Sequence, residues 1–368
     1  MVFLKEMTEE SLFIFDCHLD LSMNAIEWNR DLKKSVYEIR DSEMGMTDKL
    51  DRGLGTVALP ELRKGNIGLV VATQIARYVE RGSLIPGWNS PEIAWGISQA
   101  QLAWYRAMED QGEMVQITNL TQMEAHLALW FDKTIPDKGK PVGYILSLEG
   151  ADSFVNISYL EKAYAYGLRA CGPAHYGPGR YAAGTGRTEG LTAAGKELIA
   201  EMDNLNMILD VTHLTDKGFN EATSMYKGPM WASHHNCRKL VDHQRQLTDD
   251  QIKVLIEREA VIGGVFDTWM LTDNWVRGKD DPKDRNVHLE LIVDHYDHIC
   301  QLAGNSLNVA IGSDLDGAYG KEQSPYDLED ISDLQKLNGM LKRRGYSTED
   351  IENIFYKNWL RFLRKAWA

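Results

Sequence analysis

FIFDCHLD, residues 13–20, reads as a buried β-strand that ends on two side chains able to ligate a metal, His18 and Asp20. Strand side chains alternate between faces, so positions two apart point the same way, and this H-x-D pair offers one ion an imidazole nitrogen and a carboxylate oxygen. Four further apolar runs end in the same manner: YILSLEG (144–150) on Glu149, ILDVTH (208–213) on His213, MWASHH (230–235) on His234, and VAIGSDLDG (309–317) on Asp314 and Asp316. Separate strands that each bring one such residue to a common edge are what a parallel barrel needs to build a site at its C-terminal face. Glu149 is placed to bridge two cations about 3.5–4 Å apart, a spacing that lets both act on one water. The pattern is that of a metal-dependent hydrolase.

Working outward, eight apolar runs alternate with amphipathic stretches, and strands are expected at 13–19, 67–75, 142–149, 168–175, 207–214, 229–234, 260–267 and 309–316. Near-continuous apolar runs suit parallel strands covered on both faces. Thr248 with Gln251 opens a helix as a capping box, and Ser347 with the acidic residues after it opens a C-terminal helix. The expected fold is α/β, a TIM-like (β/α)8 barrel with long βα loops, formed as one domain over residues 1–368. Two connections, 20–66 and 76–141, are unusually long, and such loops build substrate pockets and oligomer contacts.

Composition narrows the partners. A net charge of −14 argues against nucleic acid and against an anionic membrane surface, since both attract basic faces. A hydrophobic content of 43% with 10 Trp and 15 Tyr is ample for a large core, and no run approaches the roughly 18 apolar residues of a membrane span. The first residues lack the apolar stretch of a signal peptide, so a cytoplasmic location is expected. Cys17, Cys171, Cys237 and Cys300 are scattered and read as reduced thiols.

The motifs DCHLDLS, SLEGAD, DVTHLT, SHHNCRKLVDHQRQLTDDQI and IGSDLDG, in this order and spacing from about residue 13 to 365, resemble those of the membrane (renal) dipeptidase family of zinc peptidases, within the amidohydrolase-like barrels. The resemblance implies a binuclear zinc centre, two Zn2+ per chain, with His18 and Asp20 on one ion, His213 and His234 on the other, and Glu149 bridging. It implies that Asp314 orients or deprotonates the bridging water, that His175 in GPAHYGPG contacts the substrate carbonyl and the tetrahedral intermediate, and that Arg245 binds the dipeptide carboxylate. A homodimer is implied as well. These roles suit the side chains: a carboxylate moves a proton, an imidazole donates to an oxyanion, and a planar guanidinium matches a carboxylate.

Other residues have plainer readings. His235 and the pair His295 and His298 are expected to pack, and His243 to support Arg245. Asp316 is expected outside the metal shell or as a helix cap, while Arg187 is expected either in the pocket or in a surface pair. Asp267, Trp269 and Met270 stand where the animal relatives carry an aromatic-rich run near the substrate, so they are expected to bear on substrate preference. The expected activity is hydrolysis of dipeptides, L-Xaa-D-Xaa as well as L-L. An amidohydrolase acting on another small amide, lactone or N-acyl amino acid is the alternative. A catalytically silent metal- or peptide-binding barrel would be favoured by loss of a ligand or of Asp314, and neither is lost.

Overall fold

The apolar runs pair side by side in a computed structural model that describes residues 11–368. Strands β1 (Ile14–Leu19), β2 (Ile67–Gln74), β3 (Met114–Gln116), β4 (Val142–Glu149), β5 (Leu168–Gly172), β6 (Ile208–Asp210) and β7 (Met230–Trp231) form one parallel sheet. Its order is β1-β2-β4-β5-β6-β7, with β3 paired to the start of β4. Strands β8 (Ile262–Gly264) and β9 (Val309–Ile311) form a second parallel pair. Every residue of β1, β2 and β4 is buried, as parallel strands covered on both faces require.

Hydrogen bonds link the two sheets at both ends. Ala232, just past β7, bridges Ile262, and Gly263 N donates to Ala232 O at 2.8 Å. On the other side, Asp314 N donates to His18 O at 3.2 Å and Ser313 N to Asp16 Oδ1 at 2.8 Å. The strands therefore curl, and the C-terminal ends of β1, β4, β6, β7 and β9 converge.

Five strands are shorter than the apolar runs suggest. The ladders end at Gly172, Asp210, Trp231, Gly264 and Ile311, so His213, His234 and Asp314 lie on turns past the strand ends. Two buried carboxylates explain part of this. Asp16 Oδ1 accepts from His18 N (3.2 Å) and Ser313 N (2.8 Å), and Asp210 Oδ1 accepts from Thr212 N (3.0 Å) and Ser233 N (3.2 Å). Peptide N–H groups captured this way cannot extend a ladder. His213 (φ 67°) and Asp314 (φ 57°) take left-handed backbone, which projects each side chain in a direction no strand residue has.

The connection 76–141 is not a loop throughout. It holds helices Pro91–Asp110 and Leu120–Phe131 and the three-residue β3, too short to show an alternation in sequence. The Thr248 and Ser347 capping boxes form as expected. The C-terminal helix differs, because a π turn at Asn353–Lys357 separates Thr348–Glu352 from Asn358–Ala366. Beyond it Trp359 Nε1 donates to Ile311 O at 2.9 Å and pins β9. Among the described residues, no helix is long and apolar enough to cross a membrane.

The other long connection, 20–66, is held by buried charge. Arg30 donates to Glu43 Oε1 (2.8 Å), Asp51 Oδ2 (3.1 Å) and Asn24 Oδ1 (2.8 Å), and its Nη1 lies 3.7 Å from Asp316 Oδ2. Asp316 in turn accepts from Thr56 N (2.7 Å) and Val57 N (3.0 Å), so it serves as a clamp for backbone outside the metal shell. Asn24 Nδ2 joins Asp20 O (3.1 Å) to Asp316 O (2.8 Å), tying the end of β1 to the turn after β9. Removing one partner of a buried ion group leaves the others uncompensated. Arg30→Met is therefore expected to destabilise the fold by about 3–5 kcal/mol. Denaturant unfolding reads this directly, and an unchanged midpoint would show that the cluster contributes nothing.

Candidate metal centre

Glu149 is the hub of the converging strand ends. Its Oε1 lies 3.0 Å from His213 Nε2, 3.4 Å from His234 Nε2, 3.5 Å from His18 Nε2 and 3.8 Å from His175 Nε2. His18 Nε2 is also 3.8 Å from Asp20 Oδ1 and 3.7 Å from Asp314 Oδ1. Three triads of donor atoms result: His18, Asp20 and Glu149; Glu149, His213 and His234; His18, His234 and Asp314. The first two share Glu149. Asp20 occupies the N-cap position of helix Leu21–Glu27 but makes no capping bond, and its carboxylate accepts from Thr73 of β2 instead.

Hydroxyls orient the imidazoles from behind. Thr185 Oγ1 meets His213 Nδ1 at 2.9 Å, while Ser233 Oγ meets His234 Nδ1 at 2.9 Å and His18 Nδ1 at 3.4 Å. With each Nδ1 engaged, each Nε2 is turned inward. Ser233 reaches this place because β8 carries Gly263 and β9 is followed by Gly312, where a Cβ would collide with the Ser233 carbonyl oxygen. Sequence reasoning passed over Thr185, Ser233, Asp16 and Asp210. The available signal was an Asp two or three residues before a ligand, in DCH and DVTH.

Burial of so many like groups distorts their protonation. Desolvation and the charge of Glu149 push Asp20 up to about 7, and desolvation drives Asp314 well above the usual carboxylate range. His18 moves against its burial, because Glu149, Asp20 and Asp314 draw it up to about 10. Burial and the Arg245 charge lower His213 to about 3, and burial lowers His234 and His175 strongly. Two like charges 4 Å apart repel by about 4 kcal/mol at an effective dielectric of 20. His18 is thus held toward its charged form among the carboxylates, while neutral His213 and His234 are in the form that ligates metal. His18 Nε2 is buried without a hydrogen-bond partner. Three carboxylates and three imidazoles, with that orphaned nitrogen, fit divalent cations that favour nitrogen and oxygen ligands.

The cluster forms the floor of a cavity of about 1100 Å³. Arg245 lines it, only 3% exposed, with Nη2 donating to His234 O (2.9 Å) while Nε and Nη1 have no partner. His175 lines the same cavity, as do Asp267, Trp269 and Met270. Asp267 Oδ2 accepts from Trp269 Nε1 (2.6 Å) and Gln323 Nε2 (3.1 Å), and burial pushes its carboxyl up to about 7. His243 Nδ1 accepts from Arg245 N at 3.0 Å. Three further histidines are structural: Cys237 N donates to His295 Nδ1 (3.0 Å), His298 pairs with Asp249 (2.7 Å), and His235 packs beside Thr212 (3.4 Å). Arg187 is exposed and pairs with Glu189 on the surface. Cys17, Cys171 and Cys237 are buried, Cys300 partly so, and all four are unpaired.

Ser233→Ala removes the hydroxyl shared by two imidazoles without touching a donor atom of the cluster. Affinity for an added divalent cation is expected to fall about 10- to 100-fold. Competition with a chromophoric chelator measures it, and an unaltered Kd would show that the hydroxyl has no part in orienting the rings.

The profile of the membrane dipeptidase family (peptidase family M19) matches residues 3–368. A Klebsiella pneumoniae protein of unassigned function, encoded 5′ of pqqA, is 31% identical over 237 residues, covering 62% of this chain and 83% of its own. The fold is similar to that of a crystallised M19 metallopeptidase, dipeptidase AC, at a TM-score of 0.77 and 24% identity over 97% of this chain and 99% of the other. It is likewise similar to a Rhodobacter sphaeroides metallopeptidase crystallised with a phosphinate mimic of L-Ala-D-Ala, at a TM-score of 0.76 and 21% identity, covering 97% of this chain and 100% of that one. A family match running through every strand that supplies the metal cluster means that the chain belongs to the membrane dipeptidase family of metallopeptidases, peptidase family M19.

Proposed function

We propose that the protein is a binuclear zinc dipeptidase whose ions are held by His18, Asp20, Glu149, His213 and His234, with Glu149 shared. The two donor triads that meet at Glu149 support this division. Zinc so bound supplies a water of lowered pKa and a Lewis acid for the scissile carbonyl. The protein's own groups do the rest. Asp314, beside His18 and raised by burial, accepts a proton from the attacking water and returns it to the leaving amine. His175 donates to the carbonyl oxygen as it gains charge. The catalytic domain is taken as the whole of residues 1–368, with β1, β2 and β4 to β9 read as an eight-stranded barrel. The Ala232–Ile262 bridge and the Asp314–His18 hydrogen bond favour that closure.

The observation that carries the substrate class is Arg245. A buried guanidinium with two unpartnered nitrogens is costly unless an anion completes it, and here it lines the cavity that holds the cluster. A free carboxylate one peptide bond beyond the scissile carbonyl meets that need, so substrates end there and L-L and L-D dipeptides are both included. Asp267, Trp269 and Met270, on the cavity wall, contact the substrate's side chains.

Arg245→Ala is expected to raise KM for dipeptides by two or more orders of magnitude with metal content unchanged, since truncating a buried charge partner costs about 2–5 kcal/mol. Dipeptide amides should react poorly with the unaltered enzyme. Equal rates for acids and amides would remove the carboxylate role and favour hydrolysis of another small amide. Asp314→Asn is expected to keep both metals and lose about 10² to 10⁴ in kcat. Steady-state kinetics beside metal analysis tests this: near-normal turnover would move the proton transfer elsewhere, and loss of one metal would make Asp314 a ligand.

A further inference from the structure

Arg77 stands just after β2, at the start of the long connection 76–141 but at a residue the sequence did not single out, and its side chain reaches the nitrogen of His175 that faces away from the cluster. Its Nη2 donates to His175 Nδ1, while Nη1 is braced on Pro86 O at 2.7 Å. The backbone is fixed as well. Trp88 N donates to Arg77 O at 2.9 Å and Val79 N to Trp88 O at 2.8 Å, a parallel bridge between Tyr78 and Trp88 that closes the loop beside the arginine. The guanidinium carbon lies 5.9 Å from the ring centre of Tyr176, the residue after His175.

We infer that Arg77 is a positioning residue that holds His175 in the tautomer with its hydrogen on Nε2. A guanidinium has five N–H donors and no acceptor, and it does not lose its proton in a protein. Nδ1 must then accept, because a hydrogen there would set donor against donor. The ring hydrogen is left on Nε2, the atom that lies 3.8 Å from Glu149 Oε1 and faces the cavity. An N–H preset in that direction is available to a developing oxyanion with no ring flip or tautomer exchange. The opposite tautomer would present a lone pair to the oxyanion and repel it. This inference rests on the reading of His175 as the oxyanion donor.

The test uses the zinc-reconstituted enzyme with L-Ala-L-Ala as substrate and four proteins: wild type, Arg77→Met, Arg77→Lys and His175→Gln. Arg77→Met is expected to lose about 10- to 100-fold in kcat, less than the roughly 10² to 10³ for deleting an oxyanion donor outright, with KM and metal content little changed. Arg77→Lys keeps a cationic donor and should recover part of the loss. Imidazole 15N spectra, with His175 assigned by its absence in His175→Gln, should show Nδ1 unprotonated and Nε2 protonated in the wild type and a mixture in Arg77→Met. Nδ1 protonated in the wild type, a Lys variant no better than Met, or a loss confined to KM would each overturn the inference, the last by making Arg77 a substrate contact. Full turnover by His175→Gln would instead overturn the role given to His175 itself.

Discussion

Three carboxylates and three imidazoles share one buried space around Glu149 Oε1, and the repulsion among the carboxylates is the constraint to which the rest of the molecule answers. In solution these groups would separate or take up protons. Here Asp20 and Asp314 are driven toward protonation and His18 toward the charged form, the response of a site short of positive charge. Divalent cations relieve that shortage, so the affinity of the site for metal and the strain of the metal-free site have one origin.

Holding such a cluster together takes supports of several kinds. Hydroxyls of Ser233, Thr185 and Thr73 set the ring and carboxylate orientations, and Asp16 and Asp210 end the strands by capturing peptide N–H groups. His213 and Asp314 sit in left-handed backbone, a cost of about 1–3 kcal/mol each that the surrounding packing must offset. The Arg30 group pins the long first connection to the turn after β9, so Asp20 and Asp314 are referenced to the same buried ions. Precision at the site is thus drawn from contacts distant from it.

Two arginines reach the cavity for different ends. Arg245 is buried with free donors, which suits an anion that arrives with the substrate. Arg77 has both terminal nitrogens engaged, one on His175 and the other on Pro86 O, with only Nε unpartnered, which suits fixing a ring. Asp267, held by Trp269 and Gln323, is fixed on the wall of the same cavity.

The candidate ligands were legible in the sequence because each ends an apolar run, and burial of those runs brings their ends to one edge whatever the details of pairing. His18 and Glu149 follow that logic, since β1 and β4 reach their expected ends at Leu19 and Glu149, and Asp20 is the residue directly after β1. His213, His234 and Asp314 reach the same cluster although the strands stop short of them, because position along the chain survives an error in local geometry. Arg77, Thr185, Ser233 and the Asp316 clamp were not legible in their roles. Each depends on a partner between 28 and 260 residues away, Arg77 on His175, Thr185 on His213, Ser233 on His18 and Asp316 on Thr56, and on backbone turned out of its ladder by a buried carboxylate. Periodicity and motif spacing carry information about which residues are buried and in what order; they carry none about which atoms of distant segments meet. Tertiary packing alone decided those contacts, and with them the direction in which each nitrogen and oxygen of the site points.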